Sequence, residues 1–154
     1  MRNIAGLIGR VTYWLSWPLL FWYLRGSERS RIIIVAEGKI LLIQNWHGPG
    51  KWTLPGGGVH KGEEVVLSAT RELLEETTIA LGKDQLRLLA TKPFRENGLG
   101  FTCHYFVAEL GQVIKATPKL PEILKAEWLD TEEAKDLRLG ADTREALALY
   151  GVIQ

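Results

Sequence analysis

The sequence predicts an α/β sandwich, with strand-like runs mixed around one long acidic helix and a separate hydrophobic segment ahead of them. Three observations carry this expectation. RIIIVAEGKILLIQ (31–44) is two apolar, β-branched runs split by Glu37-Gly38-Lys39, a hairpin signal. From Glu63 to Thr77 the residues Val65, Val66, Ala69 and Leu73 recur at helical spacing. Beyond them, LRLLATKPF (86–94), GFTCHYFVAEL (100–110) and ILKAEWL (123–129) read as further strands. The 154 residues suit one domain with a substantial core, and 46% hydrophobic against 24% charged residues argues against disorder.

Residues 1–27 differ in kind from 28–154, and the domain boundary is placed between them. Ile4 to Leu24 is 21 residues with Arg10 as its only charge. As a helix the run would be about 32 Å long, close to the roughly 30 Å hydrocarbon core of a bilayer. Tyr13, Trp14, Trp17, Phe21, Trp22 and Tyr23 are residues that a membrane interface favours. A cleaved signal peptide is disfavoured, because bulky Phe21, Trp22 and Tyr23 stand where small residues should mark cleavage. A helix packing on its own domain or on a homodimer partner stays open. A membrane anchor, bent at Pro18, is the expectation adopted. Arg25, Arg29 and Arg31 follow the run, so the domain is expected to face the cytoplasm.

The remaining elements follow in order. Residues 46–51 form a loop and WTLP begins another strand. Asn97-Gly98 lies in the connection between the two strands that flank it. Residues 131–138 and 142–150 suit two short helices, with Thr131 and Asp142 as candidate caps. A net charge of +1 gives no broad electrostatic footprint, so no nucleic-acid polymer is expected as partner. Cys103 is the only cysteine, which excludes an intrachain disulfide.

The stretch that carries chemistry is GGGVHKGEEVVLSATRELLEETTI (56–79), a glycine-rich loop running into the acidic helix. Glu72, Glu75 and Glu76 stand at i, i+3 and i+4 and so share one helix face. Like charges at that spacing repel, a cost better tolerated when a cation sits among them. All-oxygen ligation suits Mg²⁺ or Mn²⁺, and no His or Cys joins the cluster. Mg²⁺ also binds substrate phosphates, so the arrangement implies a phosphorylated small-molecule substrate.

This segment resembles the Nudix box, G-x5-E-x7-R-E-U-x-E-E-x-G-U with U a bulky aliphatic residue. Gly57, Glu63, Arg71, Glu72, Leu73, Glu75, Glu76 and Ile79 match, and Thr78 stands in place of the usual glycine. The hairpin before the box, the WTLPGGG approach and the late EWL strand resemble the family as well. The resemblance implies a Nudix-type α/β/α sandwich with a mixed central sheet, preceded here by the N-terminal hydrophobic helix. It implies Glu72, Glu75 and Glu76 as the metal-binding, catalytic face, with Glu72 the general base in some members. Gly56 would offer its backbone carbonyl to a metal, and Glu63 with Arg71 would form a structural ion pair. At Thr78 a β-branched residue in a left-handed cap costs on the order of 1 kcal/mol, so the helix is expected to run on to Gly82 instead.

Outside the box, Glu122 is the candidate for a further acidic ligand, with Glu96 second. Trp46, Lys51 and Arg95 are candidate substrate contacts. His47, Trp52, Phe94 and Tyr105 have equal claims as packing residues, and Lys92 is a further candidate phosphate partner. The expected function is Mg²⁺- or Mn²⁺-dependent hydrolysis of a phosphoanhydride (pyrophosphate) bond in a nucleoside diphosphate derivative or nucleoside triphosphate. The alternatives are a non-catalytic nucleotide sensor on the same fold and a membrane-tethered interaction protein.

Overall fold

The computed structural model describes residues 27–46, 50–96 and 99–153. Within them the chain runs β1 (Glu28–Ala36), β2 (Lys39–Asn45), β3 (Trp52–Thr53), α1 (Val65–Thr77), a single 3₁₀ turn (Lys83–Gln85), β4 (Arg87–Glu96), β5 (Leu99–Leu110), β6 (Ile123–Asp130), α2 (Thr131–Asp136) and α3 (Ala141–Tyr150). The strands form one mixed sheet in the order β3-β2-β1-β5-β4, with β6 on the other edge of β2. The pairing of β1 with β5 is parallel and the other strand pairs are antiparallel.

Ile32, Ile33 and Ile34 are all fully buried because the sheet is covered on both faces. Ile32 and Ile34 meet Leu41, Ala69, Leu73, Ile79 and Phe106 on the α1 side. Ile33 instead meets Leu42, Leu54, Tyr105, Ala146 and Leu147 on the α3 side. That alternation produces the helix–sheet–helix layering.

The β1–β2 hairpin turns on Glu37 (φ 51) and Gly38 (φ 75), two positive-φ residues as a two-residue primed turn requires. The strands then part, since only Val35↔Ile40 and Ala36↔Lys39 pair. β3 takes the vacated edge of β2. The glycine-rich loop takes the vacated edge of β1: Ile32 N–H donates to Pro55 O, Ser30 N–H to Gly57 O, and Val59 N–H to Glu28 O, at 2.9–3.0 Å. This splaying of β1 from β2 is what seats the loop inside the fold.

Several expectations are corrected. Among the described residues no helix is long and apolar enough to cross a membrane. The longest, α1, has 13 residues, about 20 Å, and one of its faces is acidic. The membrane-associated, cytoplasm-facing placement is overturned on that finding. The run 4–24 on which it was based lies outside the described residues. The acidic helix does not continue to Gly82. It stops at Thr78, which adopts the left-handed conformation (φ 63, ψ 8) and donates its N–H to Leu74 O at 3.0 Å. Burial of the next residue, Ile79, in the α1-side core outweighs the strain. Thr131 and Asp142 are not caps; the N-cap positions are Asp130 and Gly140. WTLP gives only two strand residues, because Leu54 N–H leaves the sheet to bond Thr143 Oγ1 at 3.0 Å.

Candidate active site

Glycine is required twice in the loop, for different reasons. Gly56 has φ +132, and a Cβ there would stand 2.2 Å from Ser30 O. A Cβ on Gly57 would stand 2.5 Å from the Glu72 carboxyl carbon. The loop backbone is thus pressed against β1 on one side and against α1 on the other.

The three box glutamates differ in their surroundings. Glu76 is buried and accepts the Gly56 N–H at 2.8 Å on Oε2. Burial pushes its carboxyl up to about 8, opposed by the Gly56 N–H and the Arg31 charge and reinforced by Glu72 and Glu122. Glu72 accepts Arg71 Nη1 at 2.8 Å, and the exposed Glu75 receives the same nitrogen at 3.4 Å. Arg71 also grips Glu63 with two bonds, Nε to Oε1 at 2.8 Å and Nη2 to Oε2 at 3.0 Å, and reaches Gly58 O at 3.0 Å. The Arg71 hydrogen bonds hold the Glu63 carboxyl down at about 2.

The segment after β5 docks on the end of α1. Thr117 N–H donates to Thr77 O at 2.8 Å and Lys119 N–H to Glu76 O at 3.1 Å, satisfying carbonyls of the last helical turn. Glu122 O in turn receives Trp46 N–H at 3.0 Å. The result is a cleft of about 280 Å³ lined by Glu72, Glu75, Glu76, Lys119, Leu120, Pro121, Glu122 and Ile123. Four carboxylates and one lysine therefore face one cleft, although Glu122 is 46 residues or more from the others in sequence.

Other sequence candidates lie elsewhere. Trp46 is exposed beside the cleft, to which it contributes its backbone bond, and Lys51 leads into β3. Arg95 lines a separate hollow of about 310 Å³ with Pro93, Phe94, Gly100, Phe101 and Thr102. Trp52 and Tyr105 are core residues, and Lys92 pairs with Glu145 at 3.5 Å. His47 and the Glu96 side chain lie outside the described residues.

Two residues escaped the sequence reading as parts of this site. Lys119 sits in a polar loop with no spacing signal. Arg31 passed as one of three charges after the hydrophobic run, yet its side chain is only 12% exposed. It donates Nε to Asp142 Oδ2 at 2.7 Å and Nη1 to Gly56 O. A charge opening the run RIIIV was the available signal.

As to a divalent cation, no three acidic, His or Cys side chains among the described residues form a ready-made cage. The donor set nonetheless fits Mg²⁺ or Mn²⁺, which need few carboxylates and take water and phosphate oxygens besides. Carboxylates of Glu72, Glu75, Glu76 and Glu122 and the Gly56 carbonyl are the oxygens on offer. Glu72 packs against the Cβ-less face of Gly57, leaving no room there for a side chain, which is the close packing such a site needs.

Known proteins with similar sequences and folds share this frame. Phosphatase NudJ of Escherichia coli K12 is 29% identical over 102 residues, 66% of this chain and 66% of that protein. A MutT NUDIX hydrolase from Burkholderia pseudomallei superposes with TM-score 0.72 at 28% identity, over 81% of this chain and 98% of the other. A bifunctional NMN adenylyltransferase/ADP ribose pyrophosphatase of Francisella tularensis, complexed with AMP and a Mn ion, shares the fold. It has TM-score 0.73 and 20% identity over 93% of this chain and 47% of that one. The NUDIX domain model matches residues 26–150, spanning the splayed sheet, the glycine loop and the acidic helix, and the chain belongs to the NUDIX domain family.

Proposed function

We propose that this chain is a Mg²⁺- or Mn²⁺-dependent hydrolase that cleaves the pyrophosphate bond of a nucleoside diphosphate derivative or a nucleoside triphosphate. The observation that carries the reading is the cleft where Glu72, Glu75, Glu76 and Glu122 meet Lys119 beneath the glycine loop. Its catalytic unit is the segment 28–154. Glu72, Glu75 and Glu76, with the Gly56 carbonyl, would hold the cation, with Glu122 in the same cleft lining. When bound, the cation lowers the pKa of the attacking water and stabilises charge developing on phosphate oxygens. Glu72 is the residue we assign as general base toward the attacking water. Lys119, the cation lining the cleft, neutralises the substrate phosphate. The Glu63–Arg71 pair keeps the loop and helix in register, so that Glu72 stays against Gly57.

Positioned charge is most of what phosphoryl transfer asks of a protein, and this cleft supplies it without a covalent nucleophile. A turnover screen over nucleoside triphosphates and nucleoside diphosphate derivatives, with Mg²⁺ or Mn²⁺, tests the reading. Metal-dependent release of a phosphate-bearing product is expected, reduced by about 100-fold or more in Glu75→Gln. Binding of nucleotides without any cleavage would replace the hydrolase by a sensor. Undiminished cleavage by Glu75→Gln would sink the site assignment.

A further inference from the structure

Arg31 is an anomaly in its strand. It stands on the face shared with Ile33, between an apolar core and the glycine loop, where a charge is expensive unless fully partnered. Its two partners come from distant parts of the chain: Asp142, in the first turn of α3, and the carbonyl of Gly56. Asp142 is itself fixed, accepting Thr143 N–H at 2.7 Å on Oδ1, while Thr143 Oγ1 holds Leu54 N–H at 3.0 Å. Gly140 N–H donates to Trp52 O at 2.9 Å, joining the start of α3 to the strand that feeds the loop. The start of α3 therefore brackets residues 52–56.

Gly56 is the residue this bracket serves. It has no side chain, and Ser30 O leaves no room for one, so side-chain packing cannot fix it. Its position is set by its two polar groups: the N–H bonds Glu76 at 2.8 Å and the carbonyl receives Arg31. One peptide residue is thereby held between a carboxylate of the cleft and a buried guanidinium. A carbonyl oxygen has two lone pairs, so the bond from Arg31 leaves one for a cation. The guanidinium sends separate N–H groups to Asp142 and Gly56 in one plane, which a lysine ammonium does not reproduce.

We infer that Arg31 and Asp142 are a positioning pair that sets Gly56 for divalent-cation binding, Arg31 through the Gly56 carbonyl and Asp142 through Arg31. This rests on the divalent-cation site in the reading above. It assigns a role to two residues outside the glutamate motif, one of them on a helix that contributes nothing to the cleft lining. The rival is an ion pair that only stabilises the core, and the two differ in what an apolar replacement does.

The test uses the full chain stripped of metal, with direct Mn²⁺ binding followed by electron paramagnetic resonance or calorimetry alongside thermal unfolding and turnover. Arg31→Met combined with Asp142→Leu removes both charges and keeps the volume, a swap that buried pairs often tolerate. Arg31→Lys keeps the charge and the pairing with Asp142 but lacks the fork. Both variants are expected to weaken Mn²⁺ binding about 10-fold or more. At saturating Mn²⁺, kcat falls by about the same factor, while KM stays within about threefold. A folded variant of either kind that binds Mn²⁺ within about twofold of the parent overturns the inference; if the double variant does not fold, Arg31→Lys decides. Parent protein that binds Mn²⁺ but turns over no substrate would sink the hydrolase reading and leave this inference standing.

Discussion

Arg71 and Arg31 both secure the glycine loop, but they draw their partners from different distances along the chain and Arg31 lies deeper. Arg71 lies at the surface of α1 and shares its donors among Glu63, Glu72, Glu75 and Gly58 O, all within 13 residues of it. Arg31 lies inside, with one carboxylate 111 residues away and one carbonyl 25 residues away. Water reaches the first more readily than the second, their side chains being 24% and 12% exposed. A network nearer the surface contributes less to stability, whereas a more deeply buried arginine leaves a stranded charge when either partner goes. The box motif thus encodes a local brace, and the tertiary fold supplies one whose partners come from distant parts of the chain.

Replacing each arginine by alanine separates them most sharply. Arg31→Ala is expected to destabilise the protein by about 3–5 kcal/mol, because Asp142 stays buried without its partner. Arg71→Ala is expected to cost about 1 kcal/mol or less in the same urea titration. Equal losses would erase the distinction.

Protonation separates the loop's two carboxylate contacts next. Glu76, with its folded-state carboxyl pushed up to about 8, binds its proton more tightly in the folded protein than in the unfolded chain. The stability this contributes is fully present below pH 4.5 and is lost as pH rises through about 8. Glu63 runs the other way: its stabilisation is present above pH 4.5 and is lost as pH falls through about 2. Urea melts of metal-free protein from pH 5 to 8.5 should show stability declining, and Glu76→Gln should flatten the decline. A Glu76→Gln profile parallel to the parent's would refute this.

The two glycines give a smaller version of the same contrast. An alanine at 56 meets backbone that cannot give way and adds a strained φ, so Gly56→Ala is expected to lose at least about 1–3 kcal/mol. An alanine at 57 meets the end of the Glu72 side chain, which can swing aside. Gly57→Ala should therefore keep its stability and lose turnover, by about 10- to 100-fold as for other displaced site groups. Smallest of all, Thr78→Gly relieves a left-handed threonine and should stabilise the fold by on the order of 1 kcal/mol in thermal unfolding. No gain there would mean that the Thr78 strain is already relaxed.

Much of the fold was legible because it is written in local periods. The short apolar runs IIIV and ILLI, the Glu37-Gly38 turn and the helical spacing of Val65 to Leu73 each report a structure a few residues wide. The same holds for the shared face of Glu72, Glu75 and Glu76. Helix ends were less legible, since Thr78 accepts strain for the burial of Ile79, and Asp142, a good cap by residue type, is drawn instead to Arg31. Lys119 had no signal at all, because its place in the cleft depends on two backbone bonds to the end of α1.

By itself, then, the sequence determined the strands, the acidic helix and the chemistry of its carboxylates, because hydrophobic period and i, i+3, i+4 spacing act within one element. Only the tertiary structure decided which charges meet that helix from outside. The parting of β1 from β2 opened an edge for the glycine loop, and the docking of α3 brought Asp142 beneath it. Those contacts span 25 to 111 residues, and their partners are chosen by burial: a guanidinium shut away from water must find a carboxylate and a carbonyl, wherever in the chain they lie.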